Sequence, residues 1–194
     1  MACRIGLALD ERASALARSL VEWQWPDGGW NCDLQAYGRR SSFHETLIPA
    51  WGLFEYASAT GDQAARRAAY RAAELLLDHN LYRSKATGRT IDQRWVALHY
   101  PPYWHYDILQ SLVVLCRMGL ATDRRAANAL DIVERRRRAD GLWQANGAWW
   151  RPSDRAGSAA EVVDWGRRGP NEMITLNAIR VLSAAGRVGP PGGA

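Results

Sequence analysis

Apolar residues recur along this chain at helical spacing, in stretches of two kinds that alternate. The first stretch, residues about 10–24, places Ala13, Leu16, Ala17, Leu20 and Val21 on one face and Arg12, Arg18 and Glu22 on the other, with Asp10 as its N-cap. A second follows Ser41 and Ser42, where Glu45 has capping-box spacing from Ser42, and runs through Leu47, Trp51, Phe54 and Tyr56 to Gly61. It is apolar on most sides, which predicts a helix surrounded by protein, bent slightly by Pro49 in its first two turns. Asp62 caps a third stretch, in which Ala65, Ala68, Ala69, Ala72, Leu75 and Leu76 oppose Arg66, Arg67, Arg71 and Glu74. Next comes a connection, Leu81 to Tyr100, expected to be partly extended at Arg94 to Leu98 and stopped by Pro101 and Pro102. A fourth stretch, nearly all apolar, runs from Trp104 through Ile108, Leu109, Leu112, Val113 and Leu115 to Gly119. The fifth, capped by Thr122 and Asp123, is Arg-rich on one face, and the sixth runs from Asn171 through Met173, Ile174, Leu176, Ile179 and Leu182 to Gly186. The pattern predicts an all-α chain of about six main helices, outer and inner in alternation, whose inner members end at Gly61, Gly119 and Gly186.

The chain also repeats itself. Asp27-Gly28-Gly29-Trp30 recurs as Asp140-Gly141-Leu142-Trp143, and at the same offset Cys3-Arg4-Ile5-Gly6-Leu7-Ala8-Leu9-Asp10 lies over Cys116-Arg117-Met118-Gly119-Leu120-Ala121-Thr122-Asp123 without a gap. In each copy an amphipathic helix ends in a turn that Asp and Gly shape and a tryptophan pins.

Gln24-x-x-Asp27-Gly28-Gly29-Trp30 after an amphipathic helix resembles the QW-type repeat of the terpenoid cyclases, the squalene–hopene cyclases among them, and of the related prenyltransferase β-subunits. The resemblance implies an α/α toroid, a ring of helical hairpins around a central cavity. It covers the chain in part: Arg137 stands where the first copy has Gln24, and the middle repeat, Leu81 to Thr90, lacks the motif. The motif is structural in that family. The expected organisation is one repeat domain over residues 1–188, a partial ring of about three hairpins, followed by a Gly/Pro tail at 189–194.

Cys3 to Leu7 matches the end of an inner helix, and Gly186 matches a turn after which an outer helix starts. The first and last helices are therefore expected to expose apolar flanks, covered in a homodimer that completes the ring or by an upstream partner segment.

Composition narrows the classes. The net charge of +5 comes from arginines spread over helix faces, with Arg136 to Arg138 at a helix end, so no nucleic-acid partner is expected. The first twenty residues, with Asp10 and Glu11, do not form a secretory signal, and Ile108 to Cys116 is too short an apolar run to cross a bilayer, so no transmembrane segment is expected. Three cysteines, two at matching helix positions, suit a reduced, cytoplasmic setting.

Every long loop feeds the start of an inner helix, and in a toroid those starts gather at one end. Three segments would meet there: Ser41 to Thr46, His99 to Asp107, and Gly169 to Glu172. They supply His44, Glu45, His105, Asp107 and Glu172 as candidate acids and bases. With Trp51, Tyr100, Tyr103, Trp104, Tyr106 and Asn171, they make a candidate binding surface for a cation or a sugar ring. The plain alternative is that the carboxylates cap helices and that the histidines are satisfied core residues. A long loop from Trp143 to Gly169, with Trp149, Trp150, Arg151, Ser153 and Gly157, reads as a flap with aromatic anchors.

Two readings follow from the resemblance. The prenyltransferases hold zinc through an Asp, a Cys and a His, and Cys32 and Asp33 with His44 or His105 offer those residue types without the family's spacing, so no cofactor is expected and zinc is the alternative. The Asp-x-Asp-Asp acid motif of the squalene–hopene cyclases is absent, and neither Cys32-Asp33 nor Glu161 to Asp164 supplies it. The functional expectation is a toroid protein that binds or transforms an isoprenoid or other apolar small molecule at an aromatic cavity mouth. The alternatives are a carbohydrate-active enzyme with paired carboxylates and a non-catalytic ligand-binding or assembly module.

Overall fold

The computed structural model describes residues 2–33, 40–152, 160, 161, 163, 165, 166 and 168–187. The chain is all-α, with six α-helices among the described residues, and divides into two compact units, Met1–Asp78 and His79–Ala194.

In the first unit a short 3-10 turn, Ala2–Ile5, precedes α1 (Glu11–Glu22), α2 (Phe43–Thr60) and α3 (Gln63–Asp78). Asp10 starts α1 by accepting the amide of Arg12, a cap of the kind that contributes about 1 kcal/mol. The second helix behaves as its composition requires: Phe43, Leu47, Ala50, Leu53 and Ala57 are buried, and the helix packs against both α1 and α3. It ends at Gly61, which takes the left-handed conformation (φ 79°) that lets its amide close the last turn on Ala57. Asp62 then caps α3 through the amide of Ala65, and the alanine stripe Ala65, Ala68, Ala69 and Ala72 is fully buried. The expected capping box at the start of α2 does not form. Ser42 makes no side-chain cap bond, and the Glu45 carboxylate turns to the amide of Cys32 instead.

The turn after α1 is held by one cassette of bonds. Trp30 is buried; its indole N–H donates to the Leu20 carbonyl of α1 at 2.8 Å, and its backbone amide donates to Thr46 Oγ1 of α2 at 3.1 Å. The Ser42 amide closes back on the Trp30 carbonyl, and the Gly29 amide on Asp27. Gln24 donates to the Gly28 and Ala68 carbonyls, while Arg71 of α3 reaches the Gln24 side chain and the carbonyls of Trp25 and Pro26. Gly28 is obligatory here: its φ is +102°, and a Cβ would stand 2.7 Å from the Arg71 carbonyl oxygen.

The second unit rebuilds that cassette. It contains α4 (Ile108–Arg117), a 3-10 turn Arg124–Ala126, α5 (Ala127–Arg135), a two-residue parallel pair of β1 (Arg151–Pro152) with β2 (Ala160–Glu161), and α6 (Glu172–Ala184). The indole N–H of Trp143 donates to the Val133 carbonyl at 2.7 Å, its amide to Thr175 Oγ1 at 3.0 Å, and the Asn171 amide to the Trp143 carbonyl. The Leu142 amide bonds Asp140 as Gly29 bonds Asp27. Arg137 donates to the Gly141 carbonyl, the bond Gln24 makes to Gly28, so this sequence departure keeps the interaction. Upstream, Asp10 with Arg12 and Asp123 with Arg125 form the same forked ion pair. All three helices of this unit contact one another.

Three boundaries in the second unit differ from the sequence expectation. Of the stretch expected to be partly extended, Arg94 to Val96 belong to a 3-10 turn, Gln93–Val96, capped by Asp92, while Ala97 is extended; an isolated antiparallel bridge lies at Arg83 and Thr90. The fourth helix starts at Ile108 rather than Trp104, because Tyr103 has φ +50° and Asp107 is extended, with its carboxylate on the Gln110 amide. The fifth starts through a 3-10 turn capped by Asp123 alone. Ser153, Gly157 and the tail 189–194 lie outside the described residues.

The cassette predicts a ranking of variants by urea unfolding. Trp143→Ala removes a fully buried indole and is expected to cost about 3–5 kcal/mol. Thr175→Val leaves the Trp143 amide without its acceptor and should cost about 1–3 kcal/mol. Arg137→Gln, which the first copy already uses, should stay within about 0.5 kcal/mol of the parent.

Acid titration supplies a second check. The Arg125 guanidinium holds the Asp123 carboxyl below its usual range. A carboxyl depressed in the folded state contributes its stability in full above the unfolded value of about 3.9 and loses it as pH falls through the folded value. Asp123→Asn keeps an N-cap side chain and should therefore flatten the acid limb of stability against pH while leaving its shape above neutrality unchanged.

Candidate functional site

Of the sequence-predicted residues, His44, Glu45 and Trp51 belong to the first unit. His44 and Glu45 lie in the first turn of α2 and are half-buried. Glu45 accepts the Cys32 amide at 3.3 Å and raises the Cys32 thiol pKa, chiefly by hydrogen bonding to it. The indole N–H of Trp51 donates to Glu55 one turn along the same helix.

The remaining candidates belong to the second unit and divide into two groups. Tyr106 and Asn171 spend their polar atoms on the fold. The buried Tyr106 hydroxyl donates to the Leu81 carbonyl at 2.6 Å, and desolvation pushes its pKa far up. Asn171 caps α6 through the Ile174 amide and donates to the Trp165 carbonyl, which ties the preceding loop to the helix start. Tyr100 meets Trp165 edge to face, and Glu172 is exposed in the first turn of α6.

The second group is built on the segment before α4. Four rings stack in one file: His99 on Trp149 (centroids 4.7 Å apart), Trp149 on His105 (3.8 Å) and His105 on Trp104 (4.0 Å), all within 30° of parallel. The file runs from inside to outside, since His99 is 7% exposed and Trp104 67%. Beside Trp104, Tyr103 is also exposed. Offset stacking of this kind adds about 0.5–1.5 kcal/mol per aromatic pair beyond burial. The order follows from local structure. Positive φ at Tyr103 and the extended Asp107 interrupt the run into α4, and the bridge between His99 and Gly147 brings the segment that carries Trp149 alongside. Leu98 and Asn146 exchange two further bonds across that bridge, and Arg136 donates to the Asn146 side chain.

Behind the stack lies a buried acid. Asp107 is 1% exposed; one carboxylate oxygen caps α4, and Oδ2 stands 3.8 Å from His99 Nδ1, too far for a direct hydrogen bond. Neither of those two atoms has a hydrogen-bond partner among the described residues. Arg136, whose own pKa burial lowers, lies close enough for its charge to be felt by Asp107. A cavity of about 230 Å³ is lined by Ala145, Asn146, Gly147 and Ala148, the stretch whose Gly147 bridges to His99. It is smaller than the roughly 300–1,000 Å³ of a site that engulfs a drug-sized ligand, so it suits one end of a longer molecule.

Sequence reasoning placed His105, Asp107, Trp104 and Tyr103 in this neighbourhood and named Trp149 as an anchor of the flap, but took His99 only as the start of the convergent segment and Arg136 as a helix-end cation, and gave Gly147 no role. The available signal for His99 was its place, eight residues before Asp107 in the same proline-broken segment. For Gly147, by contrast, only the three-dimensional approach to His99 reveals the need. Among the described residues no group of three or more His, Cys, Asp and Glu side chains is arranged to hold a metal ion, and no helix is long and apolar enough to cross a membrane. Comparison of the chain with family models, with curated proteins and with solved structures finds no match.

A Cβ added at Gly147 would stand 2.8 Å from His99 Nε2 and 3.2 Å from its Cδ2. Gly147→Ala should therefore displace the imidazole, cost about 1–3 kcal/mol as an overpacked site, and change the near-ultraviolet circular dichroism of the stacked indoles. An unchanged aromatic spectrum would contradict the close approach.

Proposed function

We propose that this chain is a terpenoid-cyclase-like helical repeat protein, a partial α/α toroid in its architecture. Its second unit takes an apolar, isoprenoid-type ligand on the aromatic shelf formed by Tyr103, Trp104, His105 and Trp149. The observation that carries this reading is the four-ring file with its exposed outer end, backed by a buried carboxylate and imidazole. Exposed indole and phenol faces attract apolar chains and the positive charge that develops when an isoprenoid alkene is protonated.

Asp107 and His99 are suited to hold the proton. The second carboxylate oxygen and the imidazole nitrogen lie 3.8 Å apart in a buried place, where each polar atom calls for a hydrogen-bond partner that a ligand end can supply. Such a pair can donate a proton to a ligand end that reaches it and take the proton back afterwards. His44, Glu45 and Glu172 have no assigned step in this scheme.

The test is binding first and chemistry second. Titration of the chain with farnesol, followed by indole fluorescence and calorimetry, should show saturable binding that Trp104→Ala weakens about tenfold or more, in keeping with loss of an aromatic anchor. Asp107→Asn, which keeps the helix cap, should bind farnesol as the parent does and lose any proton-initiated turnover of it. Equal farnesol binding by the parent and Trp104→Ala would sink the reading, and preferential saturation by a neutral oligosaccharide would replace it with the carbohydrate alternative.

A further inference from the structure

The side chains that start turns and helices in this chain differ in how they use their second polar atom. Asp10, Asp92 and Asp123 each accept a turn amide and also pair with the arginine two residues on, Arg12, Arg94 and Arg125. Asn171 caps α6 with its oxygen and gives its amide to the Trp165 carbonyl. Asp107 is more deeply buried than any of these, yet it caps α4 with one oxygen and turns Oδ2 toward His99 Nδ1 at 3.8 Å. Neither of these two atoms has a hydrogen-bond partner among the described residues. Buried polar atoms are seldom left so in a folded protein unless a water or a ligand completes them.

The imidazole is held in place from two sides. Its face stacks on Trp149, and its Nε2 edge is crowded by Gly147, where a Cβ would stand 2.8 Å away. Nδ1 and Oδ2 are thus kept at a spacing that a single oxygen can bridge, about 2.8 Å from each and off the line between them. The nearby carboxylate favours the neutral imidazole tautomer protonated at Nδ1, so the bridging atom has to donate once and accept once. A hydroxyl does both. An ether or carbonyl oxygen cannot donate to Asp107. A diphosphate would set negative charge against the carboxylate, while Arg136 already gives a hydrogen bond to the Asn146 side chain; an ammonium would add a second cation beside that guanidinium.

We infer that His99 and Asp107 recognise the hydroxyl end of an isoprenoid alcohol, the hydroxyl donating to Asp107 Oδ2 and accepting from His99 Nδ1, and that the site therefore selects the alcohol over the matching ether or diphosphate. The inference rests on the ligand reading above and names the head group which that reading leaves open. The exposed rings take the apolar chain, and the buried pair reads its end. The substitution Asp107→Asn reverses one role: the amide oxygen keeps the cap on Gln110, and an N–H group stands where Oδ2 stood. That donor meets the oxygen of an alcohol and of an ether alike.

Calorimetric titration of the full chain with farnesol, farnesyl methyl ether and farnesyl diphosphate tests it, since the three share one apolar chain and differ in the head. The parent should bind farnesol about tenfold or more tightly than either of the others, the scale set by leaving the buried Asp107 oxygen without a donor. Asp107→Asn should bring the farnesol and ether affinities together, with the melting temperature and aromatic circular dichroism showing that the variant is folded. Equal binding of farnesol and the ether by the parent, as an internal water fixed between His99 and Asp107 would give, overturns the inference; the ligand reading still stands if Trp104→Ala weakens both. Tighter binding of the diphosphate overturns it in favour of an anionic head. An ether penalty that persists in folded Asp107→Asn overturns it by assigning hydroxyl recognition to other residues. Failure of all three ligands to bind the parent overturns the ligand reading and this inference with it.

Discussion

The fold of each unit depends on a tryptophan that bonds in two directions at once. Trp30 and Trp143 donate the indole N–H back to the helix they follow and the backbone amide forward to a threonine of the helix ahead. A buried indole contributes both a large apolar area and a polar atom that must be satisfied, and a helix-end carbonyl is a natural partner because it lacks the amide donor four residues on that a carbonyl in the helix interior has. The same residue therefore closes a helix terminus, sets the direction of the next helix and fills the space between them. Aspartate and glycine serve this placement: the former supplies the turn's amide acceptor, the latter the backbone angle and, at Gly28, the clearance beneath Arg71.

The candidate site sits on the least regular segment of the second unit, and that is physically consistent. A helix beginning at Trp104 would have laid Trp104, His105 and Asp107 round a cylinder, about 100° apart per residue. With helix formation delayed to Ile108, the segment can present Trp104 and His105 as consecutive stacked rings and still turn Asp107 inward as the cap. The carboxylate thereby does two things, ordering the start of α4 with one oxygen and facing His99 with the other.

Helix identity and the repeat were legible in the sequence because periodicity and glycine stops are local signals. The stripe on α3, the caps at Asp10, Asp62 and Asp123, and the turns at Gly61, Gly119 and Gly186 are all read from residues within a few positions of each other. Misreadings arose where two local options compete. Ser42 and Glu45 have capping-box spacing, yet Cys32 offers its amide to the same carboxylate and wins. Trp104 to Asp107 reads as helix by composition, yet the proline pair and the positive φ of Tyr103 hold it open. The pairing of His99 with Trp149 and Gly147 was out of reach, since it joins positions nearly fifty residues apart through a bridge that no local pattern announces.

The same clasp spans very different lengths of chain. Trp30 reaches Thr46 across 16 residues, and Trp143 reaches Thr175 across 32, with amide-to-hydroxyl distances that differ by a tenth of an ångström. Closing a flexible loop costs about 0.6 kcal/mol more for each doubling of its length, so the longer excursion is a small charge on a unit already fixed at both ends. Fixed ends uncouple what the loop carries from whether the helices pack. Trp149, a member of the four-ring file, comes from that longer loop. This protein thus separates scaffold from surface at a single joint, and sequence inserted between the indole and the threonine is free to acquire chemistry without renegotiating the fold.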